Sequence, residues 1–157
     1  MKKLFYLQSL VILAGTLFAW YTIFGDFVRF FQVEGTVFKI KDCLAPNPVL
    51  TPCFWGSWAF LAALVWSFLI LRFPEEKQKK HQKYLVILLV AGTIFGWSNF
   101  SLGWLKFMAN EGKPTVGCSG VVVANPFSTP CFWGSLFFTA SLLSALVAFK
   151  KQKSLVS

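Results

Sequence analysis

The heptapeptide TPCFWGS, residues 51–57, returns letter for letter at residues 129–135. Each copy opens an apolar run, residues 54–71 after the first and 132–149 after the second. Asn47-Pro48 precedes the first copy and Asn125-Pro126 the second, at the same offset of 78. Further upstream, AGTLFAW at 14–20 matches AGTIFGW at 91–97, at an offset of 77. Arg29-Phe30 matches Lys106-Phe107 at that offset, and Glu34-Gly35 matches Glu111-Gly112. One register shift near the first cysteine of each unit joins the two alignments. The collinear blocks read as a tandem duplication, with units 1–76 and 77–157.

The upstream blocks lie in two more runs free of charge, residues 4–24 and 84–105. About 20 such residues take a helix across the hydrocarbon core, within a range of roughly 17–25. In lipid the backbone must satisfy its own hydrogen bonds, so each run is expected to be helical. The expected fold is therefore an all-α integral membrane protein, a single domain over 1–157. It has four transmembrane helices (4–24, 54–71, 84–105 and 132–149), two per hairpin unit. Two hairpins in the same orientation imply a pseudo-two-fold axis along the membrane normal. Composition agrees. Hydrophobic residues make up 56% and charged residues 13%, with mean hydropathy +0.62. Soluble domains hold about 45–50% and 25% respectively.

The net charge of +9 could suggest nucleic acid, but the basic residues sit in short segments flanking the apolar runs. Ten Lys and Arg fall before the first run, between the second and third, and after the fourth; five fall on the other side. The positive-inside rule then places both termini and loop 72–83 in the cytoplasm, and loops 25–53 and 106–131 outside. The expected location is a prokaryotic plasma (inner) membrane, with the lipid bilayer as surroundings and no nucleic-acid partner. The first run exceeds the roughly 7–15 residues of a signal-peptide core, and its relative, the third run, lies mid-chain. Loop PEEKQKKHQK, residues 74–83, reads as a topogenic connector.

Phe27, Phe30 and Phe31, and likewise Trp104, Phe107 and Met108, recur at helical spacing beyond the first and third runs. They fit either an amphipathic turn at the lipid interface or a helix continuing into the loop. The Glu-Gly pairs read as helix ends, because glycine tolerates a left-handed cap. Gly15, Gly92, Gly56 and Gly134 are candidate sites of close helix packing. The spans hold no charge or histidine away from their ends, which disfavours an ion-coupled transporter.

All four cysteines are expected outside, where disulfides persist. Four cysteines allow three pairings. The repeat favours Cys43 with Cys53 and Cys118 with Cys131, each unit carrying its own bridge. Their spacing, with His81 on the opposite side, argues against a metal centre. Prolines lead into the second and fourth helices, so Cys53 and Cys131 open them. There a thiol can be activated by the helix N-terminus. Around them the repeated residues Pro52, Trp55, Gly56 and Ser57, and Pro130, Trp133, Gly134 and Ser135, form a stiff helix start. The tryptophans suit interface depth.

One unit resembles the vitamin K epoxide reductase family, and more loosely the DsbB family. Those are membrane thiol oxidoreductases with four-helix cores. The resemblance lies in an outer loop with two spaced cysteines, the second opening the next helix: Cys43, Cys53 and Ser57, and again Cys118, Cys131 and Ser135. No C-x-x-C pair occurs here. The resemblance implies a quinone cofactor, with Cys43, Cys53, Cys118 and Cys131 as catalytic residues.

Three functions follow as expectations. One is a small non-enzymatic scaffold or accessory subunit without a cofactor, its disulfide-stapled outer loops meeting another membrane or extracytoplasmic protein; it rests on two equivalent cysteine pairs. Another is a quinone-linked thiol–disulfide oxidoreductase. The last is a binder of a lipid or other apolar ligand between the hairpins.

Overall fold

Sequence patterning leads to four long helices, and a computed structural model of the protein contains them. It describes residues 2–154. Met1 and residues 155–157, the ends of the expected domain, lie outside the described residues, as do the side chains of Lys2, Lys153 and Ser154. The helices are α1 (Lys2–Glu34), α2 (Pro52–Arg72), α3 (Glu75–Ala109) and α4 (Pro130–Ser154). Each is long and apolar enough to cross a membrane. They form a ring in which α1 and α3 each pack against both α2 and α4.

Three helices run well past their charge-free cores. α1 continues unbroken to Glu34, with Gly35 at φ 71° beyond it. Residues 27–31 are therefore helix, with Phe30 buried and Phe31 exposed on different faces. α3 ends at Ala109, and Glu111 and Gly112 both take positive φ. The connector expected over 72–83 is shorter, because α3 begins at Glu75. Glu75 and Glu76 fill its first turn, where negative charge suits the helix dipole. Charge marks where a helix leaves the apolar layer, not where it stops. Gln82, expected in that connector, is fully buried. Its Nε2 donates to Gln8 Oε1 at 2.6 Å and to the Ala145 carbonyl at 3.1 Å, tying α3 to α1 and α4.

At mid-bundle the rings of Phe60 and Phe138 stack, centroids 3.8 Å apart and 21° from parallel. These two residues are counterparts at the offset of 78. Each ring lies against a glycine of its own unit. A Cβ on Gly15 would come within 2.5 Å of the Phe60 ring, and one on Gly92 within 2.4 Å of the Phe138 ring. These two glycines are sites of close packing, as is Gly96, where a Cβ would come within 2.8 Å of the Ser135 hydroxyl. Gly56 and Gly134 are not, since an added Cβ would meet nothing within 4 Å; they border open space.

At the loop end of the bundle, single 3-10 turns (Pro48–Leu50 and Pro126–Ser128) precede α2 and α4. In each, an asparagine side chain accepts from the backbone two residues on: Asn47 from Val49 at 2.9 Å and Asn125 from Phe127 at 3.0 Å. Glu34 holds the first loop against the end of α1, accepting from Lys39 Nζ at 2.6 Å and from the amides of Leu44 and Ala45. That hydrogen bond holds the Lys39 ammonium pKa above its usual value. The second loop forms a two-stranded antiparallel ribbon, β1 (Thr115–Val116) with β2 (Val122–Val123). At its tip Gly120 abuts Pro46 of the first loop so closely that a Cβ would fall 2.4 Å from that ring.

Candidate functional site: three sulfurs above an apolar cleft

Cys53 and Cys131 occupy the second position of α2 and α4, behind Pro52 and Pro130. Proline is well suited to a first helical turn, because its missing N–H has no intrahelical partner there. The two helix starts thus hold their sulfurs in fixed, equivalent places. Into the space between them the second loop brings Cys118.

Cys118 and Cys131 form a disulfide, with Cα atoms 6.4 Å apart. Cys43 and Cys53 are free thiols. The bridge expected between Cys43 and Cys53 is therefore absent from the structure. The physical reason lies in the first loop. Its clamp on Glu34 and the bond from Asn47 Nδ2 to the Lys39 carbonyl, 2.7 Å, hold residues 39–47 together. The Cys43 sulfur lies 3.5 Å from the Lys39 carbonyl, inside that loop. The Cys53 sulfur instead lies 3.5 Å from the Cys118 sulfur. All three sulfurs, Cys53, Cys118 and Cys131, fall within 4.8 Å of one another. With two of them in a disulfide they do not present three thiolates to a metal, since the thiolate is the ligand form.

A cleft lies between the helix starts and the Phe60–Phe138 stack. Its walls are Phe18, Ala19, Thr22, Pro52, Cys53, Gly56, Ser57 and Phe60 of the first unit. From the second come Phe95, Gly96, Asn99, Pro130, Cys131, Gly134, Ser135 and Phe138. Every residue in the second set is the counterpart of one in the first, at an offset of 77 or 78. Six of the eight pairs are the same residue type: Phe18 and Phe95, Pro52 and Pro130, Cys53 and Cys131, Gly56 and Gly134, Ser57 and Ser135, Phe60 and Phe138. The cleft is mainly apolar and encloses about 440 Å³ counting its open side. Gly56 and Gly134 leave room in its walls. The hydroxyls of Ser57 and Ser135 are turned back, donating to the carbonyls of Phe54 at 2.7 Å and Cys131 at 2.6 Å. Trp55 and Trp133 point away from it and are exposed on the bundle surface.

Asp26 was passed over in the sequence, because the charge-free run stops at Phe24. The structure carries α1 past it and turns its side chain inward, only 5% exposed. Oδ1 accepts from Arg29 Nη2 at 2.8 Å, and Oδ2 is buried without a hydrogen-bond partner. The signal that could have exposed it was the repeat, which sets Gly103 opposite Asp26 and so marks a break in the pairing.

A free thiol 3.5 Å from a disulfide sulfur is arranged for exchange, in which a thiolate attacks one sulfur and expels the other. Attack of Cys53 on Cys118 would form the Cys53–Cys118 bond, break Cys118–Cys131 and release Cys131 as a thiolate. Cys118 is the shared partner of two sulfurs on the cleft wall. With Cys131→Ser, the Cys53–Cys118 bridge is expected to form in its place, read by non-reducing peptide mass spectrometry. Recovery of Cys53 and Cys118 as free thiols under oxidising conditions would refute the exchange geometry. No family model matches this chain, and no curated protein or solved structure matches it either.

Proposed function

We propose that the protein is a membrane thiol–disulfide oxidoreductase, which passes two electrons from protein dithiols to an apolar acceptor held in the cleft. The observation that carries this reading is the Cys53 sulfur 3.5 Å from the Cys118–Cys131 disulfide, above a cleft that both helix-start cysteines line. The scaffold reading rested on two equivalent bridges. One bridge, one thiol beside it and a further thiol in the first loop are not equivalent pairs, and that inequality supports chemistry over stapling.

The balance is simple. A dithiol reduces the Cys118–Cys131 bridge, becoming a disulfide and leaving two thiols. The acceptor then takes two electrons and two protons as a disulfide re-forms among the three cysteines. A quinone, the cofactor that the family resemblance implies, suits the cleft on chemical grounds. The walls are aromatic and aliphatic, Asn99 and Thr22 give polar edges, and two sulfurs lie on the wall. When bound, such a ring supplies a two-electron sink; the chain's residues supply the sulfurs and exclude water. The repeat supports an origin by tandem duplication, with the cleft on the pseudo-two-fold axis. The charge distribution supports placing the loop end, and with it the sulfurs, on the outer side of a plasma membrane.

The test is a redox titration of the four cysteines in native membranes, by thiol alkylation across a glutathione series. The Cys118–Cys131 bridge is expected to titrate near the poise of its compartment. A bridge that stays oxidised below about −300 mV behaves as a structural disulfide and would overturn the reading.

A further inference from the structure

Sulfur exchange needs a thiolate, so a proton must leave Cys53 and one must later reach Cys131. The cleft walls are almost wholly apolar and offer no ionisable group other than the cysteines. One buried carboxylate faces the cavity next to the cleft. Asp26 is buried, uses one oxygen on Arg29, and leaves Oδ2 without a partner. A buried carboxylate oxygen left unpaired is costly, and such groups concentrate at functional sites. Arg29 is half-exposed while Asp26 is not, so the carboxylate faces the bundle and its partner faces out.

Position points the same way. Asp26 borders a solvent-open cavity of about 530 Å³ between α1 and the second loop, whose walls include Ser119 and Pro130. Those residues are the chain neighbours of Cys118 and Cys131. Thr22 and Pro130 wall both this cavity and the cleft that Cys53 lines, so the two spaces adjoin. The ionisable groups that share this cavity with Asp26 are Arg29 and Tyr21 on its own helix, and the second loop and the start of α4 bring none to it. The repeat sharpens this. The cleft is lined by matched pairs, but the counterpart of Asp26 is Gly103, so a carboxylate stands on one side only.

We infer that Asp26 accepts the Cys53 proton through water and returns it by the same route to the departing sulfur, and that the cavity beside it connects this proton to the loop end. In the step, the Cys53 S–H bond breaks and its proton passes through water to Asp26 Oδ2, the Cys53–Cys118 bond forms, and the Cys118–Cys131 bond breaks. Cys131 leaves as a thiolate that takes the proton back. No net oxidation occurs. This rests on the exchange reading above.

The test uses the full chain in detergent, with no acceptor present. A small alkylating reagent captures Cys131 as it is released, locking the Cys53–Cys118 bridge, and mass spectrometry follows the locked product with time and pH. Asp26→Asn is expected to slow capture by about 10²-fold or more, the usual scale of general-base loss, and to change the pH profile. Asp26→Glu is expected to restore most of the rate. Thermal unfolding reports whether each variant is folded, and Asp26→Ser replaces Asp26→Asn should the latter fail to fold. An unchanged rate and pH profile in the folded Asn or Ser variant overturns the role of Asp26 alone. Equal slowing in the Asn and Glu variants also overturns it, since it would show a role in shape. Absence of capture in the unmutated chain overturns the exchange reading itself.

Discussion

Cys53→Ser is expected to stop electron transfer from a dithiol peptide to a short-chain quinone analogue, by at least on the order of 10³-fold, the scale of losing a nucleophile. It is expected to leave stability unchanged. The Cys53 sulfur carries no bond in the folded chain, and serine is nearly isosteric, so neither packing nor the Cys118–Cys131 bridge should suffer. Cys118→Ser provides the contrast. It removes the partner common to both helix-start sulfurs, so activity is lost as well. It also opens a bridge closing 13 residues of chain separation, which costs about 3 kcal/mol in the chain-entropy account. The two variants together separate chemistry from stapling. A structural bridge predicts that Cys53→Ser does nothing and that Cys118→Ser only destabilises. Full turnover by Cys53→Ser would end the proposal of a three-sulfur exchange, whatever the stability data show.

The helices are legible in the sequence, whereas the cleft is not, since its wall glycines Gly56 and Gly134 read there as packing sites. TPCFWGS announced two equivalent helix starts, and the apolar runs gave four helices of spanning length. Helix ends were less legible, because the charge-free run is a property of the lipid, while a helix stops where capping and backbone geometry stop it. Thus α1 ran on to Glu34 and α3 began at Glu75. The cysteine pairing was hidden for a related reason. Sequence equivalence suggested one bridge per unit, but pairing depends on where loops lie in space. The first loop is clamped to Glu34 around Cys43. The second loop, by contrast, carries Cys118 between the helix starts. Asp26 was obscured by both effects, as a charge just past an apolar run that in the fold lies inside the bundle.

The stacked pair Phe60 and Phe138 carries the second large expectation. Both rings are buried, at 1% and 3% exposure, with centroids 3.8 Å apart, and they form the floor of the cleft. Phe138→Ala is expected to cost about 3–5 kcal/mol, the range for deleting a buried aromatic ring. Gly92 is why the loss should sit near the upper end. Its α-carbon presses on the Phe138 ring so closely that no side chain fits. A helix backbone cannot move in to fill the space that the ring leaves, and poor collapse is what raises the cost of a cavity. Phe60→Ala, against Gly15, should behave alike, since the same geometry recurs at the offset of 78. The double variant should cost less than the sum of the singles, by about 0.5–1.5 kcal/mol, the worth of an aromatic pair beyond its buried area. Removing the floor also deepens the cleft. The variants should therefore weaken retention of the quinone analogue while leaving formation of the Cys118–Cys131 bridge intact. Unfolding in detergent and analogue titration would measure the two effects separately. Unchanged analogue binding in a folded Phe138→Ala protein would place the acceptor somewhere other than on the Phe60–Phe138 floor.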